Sequence, residues 1–211
     1  MLELRSLYCF VVLLISTWVL AADQVPGQQI IFDEAERAWV SQHLTITVAL
    51  DDANPPLNFR QRDGTYAGIS VDYLRLIAAK AGLEVQFTGS SWSDALAKAM
   101  NHQVDGIMSA SYKEERRVAL DFTEPYCETP EAMVTRKDFK DVEHLGDFAA
   151  QRVAVVAGSV RSALLRQQVP GVHLYQVENA ADGIKALTQR RFLKPFHAAF
   201  AADFLNLHLP N

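Results

Sequence analysis

Two arginines and several hydroxyls are concentrated in one short stretch, "SASYKEERRVALDFTEPY", which runs from Ser109 to Tyr126. A guanidinium is always charged and offers parallel N–H donors that match the two oxygens of a carboxylate. Serine hydroxyls beside it would add short hydrogen-bonding groups. This set has the chemistry to hold a carboxylate-bearing ligand. A mixed charge run more often covers the solvated face of a helix, however, and spacing alone favours that second interpretation.

Composition narrows the classes of function. The 211 residues carry 25 acidic and 20 basic side chains, a formal net charge of −5, which disfavours nucleic acid as a partner. An apolar fraction of 49% is ample for a packed core. The histidines have no metal-ligand spacing, so we predict no metal and no cofactor. Cys127 follows a tyrosine and lacks a catalytic histidine pattern, so we expect a packed side chain rather than a nucleophile.

The N-terminus has the anatomy of a secretory signal peptide. Arg5 is followed by an apolar run from Leu7 to Leu20 and then by the small-residue pattern of "VLAADQ". The run is shorter than the roughly 20 residues that span a bilayer. We therefore expect a signal peptide over residues 1–21, cleaved after Ala21 or Ala22, and a periplasmic mature protein. Because Cys9 would leave with the signal peptide, Cys127 would remain as a single cysteine.

The rest of the sequence predicts an α/β fold with a parallel sheet. The strands "TITVAL", "LEVQFTG" and "VDGIMSAS" alternate with the helices "ISVDYLRLIAAKAG" and "SWSDALAKAMNHQ". The cycle then repeats with a helix near "DVEHLGDFA", strands "RVAVVAG" and "VHLYQV", and helices "SVRSALLRQQV" and "NAADGIKALTQRR". We therefore predict two lobes in series, the first over residues 34–130 and the second over residues 131–211.

Ligands of such sheets bind at the carboxyl ends of the strands, beside helix N-termini. Three candidate edges follow. They are the loop with Asp51 and Asn54, the strand end with Ser109 and Ser111, and the turn formed by Gly158 and Ser159.

Three segments resemble the family 3 periplasmic solute-binding proteins, which include polar amino-acid receptors and bacterial sensor input domains. They are "PPLNFRQRDGTYAGISVDYLRLIAAKAG", "VDGIMSASYKEERRVALDFTEPY" and "RVAVVAGS". The resemblance implies a two-lobed periplasmic binding protein type II fold, the Venus-flytrap arrangement, and binding rather than catalysis. After Asp203 the sequence is too short for the family's return to the first lobe. We therefore expect an incomplete second lobe and return crossover.

The resemblance also implies roles for individual residues. Arg116 matches the arginine that grips the α-carboxylate of an amino acid, and Ser109 and Ser111 match positions that present polar groups to the ligand. Gly158 and Ser159 match a turn whose backbone N–H groups face the same carboxylate, with Ser159 as an N-cap.

Three further positions are less regular. Asp203, at the end of "AAFAADF", matches the aspartate that pairs with a ligand ammonium, with a surface acid as the alternative. Asn54 replaces the aromatic residue that amino-acid receptors carry, so Phe59 or Trp92 is a candidate for apolar contact, with a place in the core as the alternative for both. Lys113 replaces the expected threonine, and Arg117 keeps the solvated interpretation.

The leading prediction is therefore periplasmic binding of a small carboxylate-bearing, amino-acid-like solute for ABC-type uptake or signalling. The alternative is an extracytoplasmic sensor input domain, or its remnant, of a kinase or diguanylate cyclase. A third possibility, a cyclohexadienyl dehydratase-like enzyme, would need a general acid or base in the cleft. The implied partners are a small solute and a permease or membrane sensor.

Overall fold

The computed structural model describes residues 30–139 and 143–189, together with the backbone of residues 198–203. The predicted signal peptide and the sequence after Asp203 lie outside the described residues. Among the described helices, none has the length and apolar character needed to cross a membrane.

The first lobe is built on a parallel sheet of three strands. Its elements are α1 (Glu34–Gln42), β1 (Thr45–Asp51), β2 (Ala53–Asn54), β3 (Asn58–Arg60), β4 (Tyr66–Ala67), α2 (Ile69–Ala81), β5 (Glu84–Ser90), α3 (Trp92–Met100) and β6 (Gly106–Ile107). The strand order is β5-β1-β6, and both neighbours run parallel to β1. The carboxyl ends of these strands therefore meet at one edge, as the α/β pattern predicts.

The second lobe is built on a four-stranded mixed sheet. Its elements are β7 (Glu131–Thr135), β8 (Arg152–Val156), α4 (Arg161–Gln168), β9 (His173–Val177), α5 (Ala180–Thr188) and β10 (Ala198–Asp203). The order is β7-β10-β8-β9, in which β10 lies antiparallel to β7 and parallel to β8. The α/β prediction is confirmed for both sheets. Among the described strands of the second sheet, β7 is the one that runs antiparallel to its neighbour.

Local sequence signals explain where the helices begin and end. Ser91 caps α3 by accepting a hydrogen bond from the Asp94 N–H, and Asn179 caps α5 in the same way through Asp182. Gly82 ends α2 in the left-handed conformation, with φ of 73°, which glycine adopts without steric cost.

Each sheet packs its own apolar core. In the first lobe, Val48 and Leu50 of β1 pack with Val71 of α2 and with Met108. In the second, the alternation of β8 places Val153 and Val155 with Phe148 on one face, while Ala154 packs on the other.

Two predicted elements are shorter than expected. The helix predicted near "DVEHLGDFA" is wrong over its described part, which holds a short 3₁₀ turn, Leu145–Phe148. The strand predicted over "VDGIMSAS" is reduced to the two residues of β6. Pairing stops there because the chain turns at Ser109, whose φ is +58°.

The loop after β1 forms an antiparallel three-stranded ribbon, in the order β2-β3-β4. It is held against α2 by close backbone contacts, since Ile69 N–H donates to Pro56 O at 3.0 Å and Ser70 N–H donates to Leu57 O at 2.9 Å. Gly68 makes this approach possible, because a Cβ there would lie 2.3 Å from Leu57 O. Its φ of +125° is also accessible only to glycine.

Gly68→Ala is therefore expected to lower the free energy of unfolding by about 3 kcal/mol or more, from combined backbone strain and steric clash. Gly64→Ala is the matched control, because Gly64 also has a positive φ, +87°, but nothing lies within 4 Å of its Cβ position. The control should lose about 1 kcal/mol. Urea unfolding midpoints measure both values, and equal losses would contradict the close-approach explanation.

Candidate functional site

A cleft lies where the carboxyl edges of the two sheets face each other. Its cavity volume is about 110 Å³. The lining comes from the β1–β2 turn, the start of α3, the segment after β6 and the turn after β8, and consists of Asp51, Ala53, Asn54, Pro55, Trp92, Ser109, Ser111, Arg116, Val156, Ser159, Val160, Arg161 and Ala180. Most of the predicted site residues therefore lie in one place, although they come from distant parts of the sequence.

Arg116 bridges the two lobes. It ends a 3₁₀ turn, Glu114–Arg116, and only 5% of the residue is exposed. Its Nη1 donates to Ser111 O at 2.6 Å in the first lobe, and its Nη2 donates to Gly158 O at 3.1 Å in the second. No carboxylate of the described residues lies within ion-pairing distance of Arg116.

The surface alternative for Arg116 does not hold. Glu115 pairs instead with Lys113 at 3.0 Å, and Glu114 accepts a hydrogen bond from the Tyr112 hydroxyl. Arg117 is exposed, as predicted. The two neighbouring arginines therefore differ in environment: Arg116 faces the cleft and Arg117 faces solvent.

Burial makes Arg116 a strong anion-binding group. Loss of hydration lowers the pKa of its guanidinium, while Glu115 raises it. An arginine remains protonated despite such a shift, because its ordinary pKa lies far above physiological pH. The charge lies 5.4 Å from the centroid of the Trp92 ring, a cation–π contact. The cleft therefore contains a partly desolvated cation held in a fixed orientation.

Two polar atoms near Arg116 are buried without hydrogen bonds. Trp92 is 9% exposed, and neither its Nε1 nor the Oγ of Ser159 has a partner within the described part of the protein. Both side chains line the cleft, and a Cβ built on Gly158 would lie 3.7 Å from Trp92 Nε1. An unpaired buried polar group costs about 1–3 kcal/mol, so a bound solute or water would stabilise both atoms.

Ser109 has a different role from a simple ligand-binding hydroxyl. Its Oγ lies 2.6 Å from Asn58 Oδ1, 3.0 Å from Ser70 Oγ and 3.2 Å from Tyr126 Oη. We call these four residues the hydroxyl network. Asn58 extends it by donating to the main-chain oxygen of Asp51. The network joins β1, β3 and α2 to the segment that leaves the first lobe, and so fixes one wall of the cleft.

Asp51, at the end of β1, supplies a negative charge to the lining. It is 8% exposed, and burial raises the pKa of its carboxyl group. The N–H of Ala53 donates to Asp51 at 3.0 Å and lowers the pKa, whereas the charges of Asp52 and Glu178 raise it. The neighbouring Asn54 also lines the cleft.

Arg161 is a cleft residue that the sequence analysis missed. It begins α4, lines the cleft, and forms an ion pair of 3.4 Å with Glu131. Its side chain is 11% exposed, and burial lowers the pKa of the guanidinium while Glu131 raises it. A sequence signal was present, because a basic residue begins this helix and no acidic residue lies in its first turn.

The remaining predicted residues are placed as follows. Gly158 contributes its carbonyl group, and its φ of +74° belongs to the turn after β8. The predicted N-cap at Ser159 is wrong: the N-cap of α4 is Val160, and no side chain caps the helix. The backbone of Asp203 pairs with Glu131 at the end of β10. Its side chain lies outside the described residues, so its ligand role stays a prediction.

Comparison with known proteins identifies what the chain is similar to. A sequence model of the bacterial extracellular solute-binding proteins, family 3, matches residues 46–201. The L-cystine-binding protein TcyJ of Escherichia coli strain K12 is 27% identical over 158 residues, which is 73% of this chain and 59% of TcyJ. The virulence sensor protein BvgS of Bordetella bronchiseptica is 25% identical over 157 residues, which is 72% of this chain and 12% of BvgS.

A solved structure, an ancestral arginine-binding protein bound to glutamine, matches the fold with a TM-score of 0.68 at 24% identity. The match covers 76% of this chain and 70% of that one, and it confirms the type II periplasmic binding protein architecture. This chain therefore spans about three-fifths of the length of TcyJ and a smaller share of the sensor protein.

The buried carboxyl group of Asp51 predicts a pH-dependent stability difference. Its folded pKa lies above the ordinary value of 3.8, so its contribution to stability is complete below that pH. This contribution is lost as the pH rises through the folded pKa. Asp51→Asn avoids the loss, so its melting temperature at neutral pH should be a few degrees above that of the wild type. This corresponds to a gain in the free energy of unfolding on the order of 1 kcal/mol.

Calorimetric melting from about pH 3 to about pH 8 measures this difference, which should grow with pH. Asp63→Asn should show the opposite sign, because Thr65 hydrogen bonds lower the pKa of Asp63 and stabilise its charged form. At neutral pH the melting temperature of Asp63→Asn should lie below that of the wild type. This difference should shrink as the pH falls through the lowered pKa of Asp63. A difference for Asp51→Asn that is constant with pH would contradict the burial argument.

Proposed function

Because this chain belongs to the bacterial extracellular solute-binding proteins, family 3, we propose that it binds a small, carboxylate-bearing, amino-acid-like solute in the cleft between its lobes. The observation that carries the proposal is Arg116. It is a buried guanidinium that contacts both lobes, and it has no carboxylate partner among the described residues. A carboxylate is the ligand whose geometry and charge complement such a group.

In the proposed complex, the solute carboxylate lies against Arg116 and the turn formed by Gly158 and Ser159. The Ser159 hydroxyl and the Trp92 indole N–H donate to its oxygens, which would satisfy both buried atoms. Ser111 keeps the guanidinium in place through its main-chain oxygen. The solute carboxylate would then replace part of the hydration that burial removes from Arg116.

The amino group of the solute faces the acidic side of the cleft. Asp51 is the carboxylate in the described lining, and Asp203 ends β10, which runs beside β8 toward the turn with Gly158. An ammonium near Asp51 would offset the cost of burying that carboxylate. Together with Arg116, this arrangement would recognise both charged ends of a zwitterion, while Asn54 contacts the solute at the first-lobe wall.

We propose that the protein lies in the periplasm and that solute binding serves one of two roles. It either delivers the solute to an ABC-type permease or provides the input to a membrane sensor. The similarity to TcyJ supports uptake, and the similarity to BvgS supports a sensor input domain of a kinase or cyclase. Neighbouring genes distinguish the two: permease and ATPase genes would favour uptake, and a kinase or cyclase gene would favour sensing.

We propose no catalysis, since the sequence relatives described above are named as binding and sensor proteins. Asp51 is the one carboxyl group of the described lining that could act as an acid or base. Assay of prephenate and arogenate with the purified protein tests this directly. Turnover that disappears in Asp51→Asn would overturn the binding-only proposal.

Arg116→Ala should weaken binding of the amino acid that the wild type binds by at least about 30-fold, because it removes a buried charge-assisted contact. Arg117→Ala is the control and should change affinity by less than about threefold, since that side chain is exposed. Titration calorimetry against amino acids and dicarboxylates measures both. No heat with any solute, or equal affinity of Arg116→Ala and wild type, would refute the proposal.

Trp92→Phe tests the unpaired indole nitrogen separately from the charge. The variant keeps an aromatic ring beside Arg116 but removes the N–H donor. We expect about 3- to 10-fold weaker binding, the value of one hydrogen bond, with an unchanged or higher melting temperature in the free protein. Unchanged affinity would show that Trp92 Nε1 does not contact the solute.

A further inference from the structure

The helix α2 carries an exposed apolar face on the side opposite its own core. Towards that core it buries the side chains of Val71 and Ala78. On its outer side four apolar residues are exposed, by between 38% and 55%. We call these four residues the α2 stripe: Ile69, Tyr73, Leu76 and Ile77. A helix that is apolar on both sides is usually covered on both, so the α2 stripe indicates a contact surface.

The spacing of the α2 stripe is typical of packing against another helix. Ile69, Tyr73, Leu76 and Lys80 follow one another at intervals of four, three and four residues, which is the a/d pattern of a coiled coil. The methylene groups of Lys80 extend the apolar surface, while its ammonium group reaches beyond it. The α2 stripe therefore has the pattern of a helix–helix contact that the described residues leave open to solvent.

Neighbouring side chains extend the stripe rather than cover it. Tyr126 stacks on Tyr73, with ring centroids 5.4 Å apart, and is itself 44% exposed. Arg75 does not fold over the stripe, because its guanidinium lies 5.4 Å from the centroid of the Phe87 ring in β5 and donates to Tyr66 O in β4 at 3.1 Å. The open apolar surface therefore continues from α2 onto the segment that contains Tyr126.

Residues of opposite charge lie at the two ends of the stripe. Asp72 is in the first turn of α2 and Lys80 is in the last. The carboxylate of Asp72 is 75% exposed, and Arg75 contacts only its Oδ1, at 3.4 Å. The side chain of Lys80 forms no ion pair within the part of the chain that the structure describes. Both charges are therefore accessible to a molecule that packs on the stripe.

These two charges complement each other when two copies of α2 pack in antiparallel orientation. A twofold axis near Arg75, in the middle of the helix, places the first turn of each helix beside the last turn of the other. Asp72 of each copy then lies beside Lys80 of the other copy, and Leu76 packs against Tyr73. The twofold axis forms each contact twice. Parallel helices would instead place like charges together, which is unfavourable.

We propose that the α2 stripe is the interface of a homodimer, in which two copies of this chain pack α2 against α2 in antiparallel orientation. A second copy is the partner because an apolar stripe alone would fit many apolar surfaces, whereas this charge pattern is complementary to itself. No residue of the stripe lines the cleft, so the inference does not depend on the solute-binding function proposed above.

Sedimentation equilibrium of the purified protein tests the inference. One helix pair buries less than the roughly 1,200–2,000 Å² of standard interfaces, so we expect a dissociation constant on the order of 10 µM. Leu76→Glu should raise this constant at least about 30-fold, because it places two carboxylates in the centre of the interface. Leu44→Glu is the matched control, since Leu44 is 61% exposed but lies outside α2. The control should change the dissociation constant by less than about threefold.

Exchange of the two charges tests the antiparallel orientation. Asp72→Lys alone and Lys80→Asp alone should each raise the dissociation constant at least about fivefold at low ionic strength, because two attractive pairs become repulsive. The double variant with both substitutions should return to within about threefold of the wild type, since the pairs form again with their signs reversed. Melting temperatures of all variants verify that they fold.

Several outcomes would overturn the inference. If residues 204–211 of the same chain or a different protein cover the stripe, the wild type will sediment as a monomer up to about 200 µM, well above the expected constant. An equal effect of Leu76→Glu and Leu44→Glu would assign the loss to added charge in general. Single charge variants that associate as tightly as the wild type, or a double variant no tighter than the single ones, would refute the antiparallel pairing.

Discussion

A guanidinium held between two main-chain oxygens is the interaction on which the site depends. Arg116 donates to Ser111 O in one lobe and to Gly158 O in the other, so the position of its guanidinium depends on how the two lobes are placed relative to each other. Main-chain carbonyl groups orient the cation but do not neutralise it. The positive charge therefore remains available in a cavity where water is partly excluded, and electrostatic interactions gain strength for that reason.

In the first lobe, the wall of the cleft is fixed by hydrogen bonds between small polar side chains rather than by packing of large apolar ones. Asn58, Ser70, Ser109 and Tyr126 satisfy one another beneath the cleft, and Asn58 also contacts the main chain at the end of β1. Every member is separated from the others in sequence, so the network ties four segments together. Gly68 serves the same purpose in the backbone, because it lets α2 contact the ribbon that carries the first-lobe wall.

Sequence reasoning predicted local features better than distant pairings. The caps at Gly82 and Ser91 depend only on neighbouring residues, so a local sequence pattern is sufficient to identify them. The partners of Ser109 lie 17, 39 and 51 residues away, so no local pattern could identify that network. Arg116 was assigned to the cleft through a family resemblance. In the sequence, Arg161 has the pattern of an ordinary surface residue, and only the structure places the start of α4 at the cleft. Charge patterning relative to the helix dipole is the signal that would have selected it.

The strand order of the second sheet has a consequence for how the protein is made. The first sheet uses strands that all lie between Thr45 and Ile107, so a growing chain can complete it early. In the second sheet β10 lies between β7 and β8, which means that its inner strand is synthesised after both neighbours. Until β10 is synthesised, β7 has no partner among the described strands, and the edges of β7 and β8 that β10 will occupy remain open to wrong pairing. Assembly of the second-lobe wall of the cleft thus depends on a strand that is synthesised late.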